Sequence, residues 1–301
     1  MRKVKKFLHQ TPKILSQKSI IVLVILIIAG IGGAFLRGKI NTSPKSNSNI
    51  AQKASTPTPK KNEPFGTYTS PKILKKDVYS IVMVGDSMTE ALGPHGGKLN
   101  EFINTLYQST PGHQRIVIDN YAKGSTNILG LEEALMQKTV SGDAVLPPLL
   151  SRSFDLILIE SFGYNPLSQL GIPDGLKKQT KTLDTLMKLL TKTHPNSAIF
   201  FVATIAPNKE TYGQDEAPGE TLAERQAQAQ ERMDYIKNHI AYAKSHNIPL
   251  IDIYDNSLTP DGDGDLSYIN PNDHIHPSFQ GIDFISQEIA NFIYGNKTLQ
   301  K

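Results

Sequence analysis

"VMVGDSMTEALG", residues 82–93, is the stretch on which the reading of this chain turns. An apolar run stops at Gly85, and Asp86, Ser87, Thr89 and Glu90 follow at once. A buried strand that leaves its sheet through a tight turn into a helix has this shape. Ser87 is then either a polar turn residue or a nucleophile. A serine nucleophile needs a base, a group that orients the base, and donors for the developing oxyanion. The rest of the chain has to supply them.

Outward from that stretch the pattern alternates. Apolar, β-branched runs occur at 79–84 (YSIVMV), 115–119 (RIVID), 154–160 (FDLILIE), 198–204 (AIFFVAT) and 249–254 (PLIDIY). Helix-like segments lie near 97–109, 127–138, 174–193, 217–246 and 278–294. The third carries a helical stripe of Leu183, Leu186, Met187, Leu189 and Leu190. The fourth is long, alanine-rich and capped by Thr221 or an acid before it. Five strands alternating with five helices predict a parallel sheet covered on both faces, a three-layer α/β/α sandwich with a five-stranded parallel sheet. In such sheets ligands bind at the carboxyl ends of the strands. The polar stretches after the five strands should therefore meet on one rim, at 85–90, 120–127, 161–166, 205–220 and 255–277.

Each of those stretches offers chemistry. His276 is the candidate base, and Asp273 stands three residues before it in "DHIHP". A carboxylate beside a histidine fixes its tautomer and stabilises the imidazolium. His274 is the rival base but lacks that three-residue offset. Gly124 and Asn165 are candidate oxyanion donors: a glycine brings its N–H close to a substrate, and an asparagine amide donates as a backbone amide does. Ordinary turn chemistry accounts for either one taken alone.

The order of these elements is distinctive, and it resembles the SGNH hydrolases, also called GDSL-type esterases. Ser87 in "GDSMTE", Gly124 in "NYAKGST", Asn165 in "GYNP" and His276 in "DHIHP" match the four residues for which that family is named, with Asp273 as the third member of the triad. The resemblance covers residues 79 to about 295. Met88 stands where the second family name has Leu, and Pro166 where the third block usually has Asp. Gly130 lies near the Gly124 position. The resemblance implies a flavodoxin-like strand order and ester hydrolysis through an acyl-enzyme. Ser87 attacks, His276 relays the proton and Asp273 orients it. The N–H groups of Ser87 and Gly124, with the Asn165 side chain, bind the oxyanion. No metal or organic cofactor is required. Asp86 reads as a turn or cap residue, since a phosphatase with Asp86 as nucleophile wants an acid where Met88 stands.

Tyr164, Tyr212 and the long 205–220 loop are candidates to line the acyl or alcohol pocket. The "DGDGD" run places Asp261, Asp263 and Asp265 as in the start of a calcium loop. The sixth and twelfth places of such a loop hold Leu266 and Asn272, so a solvated acidic loop is the better reading. Two other functions compete with esterase: an acyltransferase using the same triad, and a catalytically silent envelope-binding domain.

Composition sets the surroundings. Of 301 residues none is cysteine, which excludes disulfides, thiolate chemistry, Cys-based zinc sites and a lipid anchor on cysteine. The net charge of +4 hides an asymmetry. Residues 1–76 carry 15 Lys+Arg and one acid, Glu63, leaving 17 Lys+Arg against 27 Asp+Glu in residues 77–301. The acidic remainder argues against nucleic acid as a partner. Residues 20–36, "IIVLVILIIAGIGGAFL", are 17 uncharged and mostly apolar residues behind a basic leader, and they predict a membrane span. The expected organisation is a cytoplasmic tail at 1–19, a transmembrane helix at 20–36, a disordered linker at 37–76 and a hydrolase domain at 77–297 outside the cytoplasm. Cleavage near Gly32 and Ala34, with secretion, is the alternative. The expected substrate is an ester, such as short acyl groups on a glycan or a lipid.

Overall fold

The computed structural model describes residues 63–108, 114–216 and 219–300. The tail at 1–19, the apolar stretch at 20–36 and most of the expected linker lie outside these residues. No helix among the described residues is long and apolar enough to cross a membrane.

A five-stranded parallel sheet carries the site. Its strands are β1 (Val78–Val84), β2 (Arg115–Asn120), β5 (Leu156–Glu160), β6 (Ala198–Ala203) and β7 (Leu250–Asp252), in the order β2-β1-β5-β6-β7. Counting sheet strands alone this is 2-1-3-4-5, the flavodoxin-like order that the resemblance implied. β5 and β6 are buried at every position, as strands covered on both faces must be. β1 shows how the two faces divide. Tyr79, Ile81 and Met83 pack with Leu99 and Ile103 of α2 (Gly97–Gln108) and Ile285 and Ile289 of α7 (Phe279–Gly295). Val82 and Val84 point the other way, into a core with Leu183, Met187 and Leu190 of α4 (Ile172–Thr193). α2 packs on α7, and α4 on α5 (Leu222–Ser245), which gives the three layers.

Local chemistry sets the ends of the helices. Thr221 caps α5 through a capping box with Glu224, so the helix begins at Leu222 and not at 217. Asp252 ends β7 early by capping α6 (Ile253–Asn256), so the strand is shorter than the apolar run at 249–254. The helix expected at 127–138 is a 3-10 turn at Ile128–Gly130 followed by α3 (Leu131–Met136). A hairpin of β3 (Thr139–Ser141) and β4 (Ala144–Leu146) comes next, which the alternating pattern did not announce. Its three-residue strands leave Val140 and Val145 exposed and bury only Leu146, too little for a pattern to detect.

The expected linker boundary at 76 is also corrected. Tyr68 and Ile73 are buried. The Phe65 amide donates to Asp184 of α4, the Tyr68 amide donates to the His246 carbonyl after α5, and the Tyr68 hydroxyl accepts from the Ile199 amide at the start of β6. Residues 63–76 therefore strap the domain.

Candidate active site

Parallel pairing puts the turn after β1 level with the turn after β5. Val84 lies opposite Ile159, so Asp86 arrives beside Glu160. Between these two strands the chain switches direction across the sheet, which is where doubly wound folds open a crevice. Gly85 is required there. A Cβ would stand 2.5 Å from Thr89 Oγ1 and 2.8 Å from the Glu160 Cβ.

Ser87 is the first residue of α1 (Ser87–Glu90). Asp86 caps this single turn by accepting from the Met88 amide (3.0 Å), as the sequence suggested. The Asp86 carbonyl accepts from Thr89 and Glu90. Early N–H groups of a helix have no partner within it, and the Ser87 amide is one of them. Asn120 at the end of β2 pins the turn from the far side, its amide donating to the carbonyls of Thr89 (2.8 Å) and Gly93 (3.0 Å).

The two proposed donors converge on this turn. A Cβ on Gly124 would lie 3.6 Å from the Ser87 Cβ, so that backbone stands against Ser87. The Gly124 amide donates to a Glu90 carboxylate oxygen (2.8 Å). The Asn165 side-chain amide donates to Asp86 Oδ2 (3.1 Å). Both donors thus already bond a carboxyl oxygen beside Ser87.

Asp273 and His276 form the other half. The Asp273 carboxylate accepts from the amides of Ile275 (2.8 Å) and His276 (2.9 Å), from Asn270 Nδ2 (2.8 Å), and faces His276 Nδ1 at 3.1 Å. Burial pushes the Asp273 carboxyl up, but the two amides and the imidazole outweigh it and hold it below its ordinary value. An Nδ1–H held on a carboxylate leaves Nε2 as the basic nitrogen. The rival His274 takes a left-handed backbone (φ +55°) and turns to Asp215, whose Oδ2 lies 2.8 Å from its Nδ1. Among the described residues no hydrogen bond joins Ser87 Oγ to His276. Such contacts are often long in free enzymes and close in the substrate complex.

Tyr164 and Tyr212 do not line an open pocket. Both are buried, with ring centroids 6.3 Å apart, and the Tyr164 hydroxyl donates to the Ile205 carbonyl. They pack beneath the Asn165 loop, which corrects the expectation of substrate contact. An open cleft of about 350 Å³ lies instead on the other side of the turn, lined by Gly85, Glu90, Lys123, Thr126, Val140 and Phe162. Three of these come from the 123–140 region, whose hairpin the periodicity missed. In the "DGDGD" run Asp263 accepts from the amides of Lys209 and Gly264, and Asp265 caps the turn at Leu266–Tyr268. Turn building accounts for these two acids.

Glu160 was also missed, since it closes an apolar run and reads as a strand end. It is buried against Asp86. Burial and the charge of Asp86 push its carboxyl well above the usual range, and burial raises Asp86 as well.

Known proteins share this family and fold. Residues 81–289 match the family described as GDSL-like Lipase/Acylhydrolase. The lipase/acylhydrolase from Enterococcus faecalis superposes with a TM-score of 0.50 at 16% identity, over 72% of this chain and 96% of its own. A GDSL-like lipase from Parabacteroides merdae superposes with a TM-score of 0.52 at 15% identity, over 76% of this chain and 99% of its own. An acetylxylan esterase from Geobacillus stearothermophilus is matched at 15% identity with a TM-score of 0.49. No curated protein matches the chain by sequence. With the family match spanning more than half of its length, this chain belongs to the GDSL-like lipase/acylhydrolase family and is an ester-bond hydrolase.

Proposed function

We propose that the protein is a serine esterase that works through an acyl-enzyme and removes short acyl groups from glycan or lipid esters outside the cytoplasm. Ser87 Oγ attacks the ester carbonyl while His276 Nε2 takes its proton. The carbonyl oxygen, now negative, binds the amides of Ser87 and Gly124 and the Asn165 side chain. His276 then protonates the departing alcohol, and a water activated by the same nitrogen releases the acid. Asp273 holds the ring throughout. The observation that carries this reading is the convergence of Gly124 and Asn165 on the Ser87 turn, each donating to a carboxylate oxygen. An N–H that binds one anionic oxygen is suited to another.

The membrane tether rests on residues 20–36 and their basic flanks, and the glycan or lipid alcohol rests on that location and on the family. Hydrolysis of nitrophenyl acetate by the purified chain, beside Ser87→Ala, tests the chemistry. We expect Ser87→Ala to lower kcat by at least about 10³-fold, since loss of a triad nucleophile removes the covalent route. Equal rates would remove Ser87 from the mechanism. Acyl groups appearing on an added sugar faster than free acid would make the enzyme a transferase.

A further inference from the structure

The reaction above makes no use of Glu160, yet this carboxyl is buried at the junction of the two loops that carry the site. Its Oε2 accepts from the Phe162 amide (2.9 Å) and, more loosely, from the Asp86 amide (3.4 Å). Its other oxygen meets the Ser161 hydroxyl. The Asp86 whose amide Glu160 accepts from uses its own carboxyl to accept from Met88 and Asn165. One chain of bonds therefore runs from the Asn165 amide through Asp86 to Glu160 and on to the backbone of Phe162. That backbone is held in the left-handed region (φ +53°), which a bulky residue occupies only when its surroundings enforce it.

Two buried carboxyls in contact cannot both be ionised without a cation. None faces them. The cavity at Glu160 is lined by Met88 and Thr89 of α1, Leu158 of β5, Val202 and Thr204 at the end of β6, and Ile285 and Ile289 of α7, with no Lys, Arg or His among its lining residues. The remaining titratable neighbours are Tyr164 and Tyr212, both buried, with Arg232 over the Tyr212 ring and ion-paired to Glu231.

We infer that Glu160 is a positioning residue, whose carboxyl accepts from both loops and so ties the Ser87 turn to the Asn165 loop through the amides of Asp86 and Phe162, which fixes the Asn165 donor beside Ser87. The inference rests on the serine-esterase reading and adds a residue to it. Its requirement is a hydrogen-bond acceptor at 160, which a glutamine supplies and an alanine does not.

The test compares Glu160→Gln, Glu160→Ala, Asn165→Ala and the Glu160→Ala/Asn165→Ala pair in the full-length chain, on nitrophenyl acetate, with thermal melting as the check on folding. Glu160→Gln should keep kcat within about threefold of the parent. Glu160→Ala should lose about 10²-fold in kcat with KM little changed, the effect of misplacing one oxyanion donor. In the Asn165→Ala background the same alanine should cost less than about threefold, because the donor that it positions is already gone. Glu160→Gln falling as far as Glu160→Ala while melting normally, or additive losses in the pair, would overturn the proposal. Should Glu160→Ala fail to fold, Glu160→Gln decides by itself: a loss beyond about tenfold in kcat counts against it. Ser87→Ala in the same series separates the two claims. An active Ser87→Ala sinks the esterase reading, whereas an inactive one beside failed Glu160 outcomes sinks only this inference.

Discussion

A side chain at Gly124 would collide with the Glu90 carboxylate, 2.8 Å from where its Cβ would stand. The glycine is therefore needed by the bond it makes as much as by the substrate. On the proposed mechanism Glu90 occupies, in the free enzyme, the amide that the oxyanion would take, and a charged partner on an amide is among the stronger hydrogen bonds. Substrate must displace it. Glu90→Ala should then raise kcat/KM for nitrophenyl acetate by up to about tenfold, since a competing interaction of roughly 1.4 kcal/mol is worth that factor. An unchanged or lower value would show that the carboxylate does not compete. Ser87, His276 and Asp273 were legible as residues because spacing and residue type are written in the chain. Glu90 and Glu160 were not, because what defines them is the partner that folding brings.

At the scale of elements, the strap at 63–76 is the part most at odds with its composition. Its Ser, Thr, Pro and Lys content reads as tether, and only Phe65, Tyr68 and Ile73 could have signalled packing. Tyr68 fills a site between β6 and α5, where its hydroxyl accepts from the Ile199 amide (2.9 Å). That amide stands at the start of a buried strand and would otherwise be unpaired. Tyr68→Ala should cost about 3–5 kcal/mol, as large aromatic truncations in cores do. That corresponds to a Tm lower by roughly 10 °C in a domain of this size. Tyr68→Phe should lose only about 1 kcal/mol. Melting curves check both, and a chain beginning at residue 77 should melt below one beginning at 63. Equal melting of those two chains would return the segment to the linker. The strands and long helices were readable because each buries a continuous apolar run or a periodic face, whereas the strap and the β3–β4 hairpin have too few buried residues to show either.

Across the whole molecule, burial also sets how stability responds to acid. His239 of α5 is fully buried and stacked on Phe201 with ring centroids 4.2 Å apart. Burial lowers its pKa from 6.5 to about 3. The unfolded chain thus takes a proton below about pH 6.5 that the folded one refuses until about pH 3. Stability present above that window is lost as pH falls through it, at up to about 1.4 kcal/mol per pH unit. Asp86 and Glu160 act in the opposite sense, because the fold holds protons that the unfolded chain has released. The Tm of the parent should therefore drop more between pH 7 and pH 4.5 than that of His239→Leu, and equal drops would remove His239 from the acid response. By itself the sequence determined the alternation of strands and helices, the order of the four site blocks and the lack of thiol chemistry, since these depend on residue type and spacing along the chain. Only the tertiary structure decided that Tyr164 and Tyr212 belong to the core, and that Glu160 and Glu90 stand at the site. Those outcomes depend on which residues meet across the β1–β5 pairing and how far each is removed from water, and neither is a property of any local stretch.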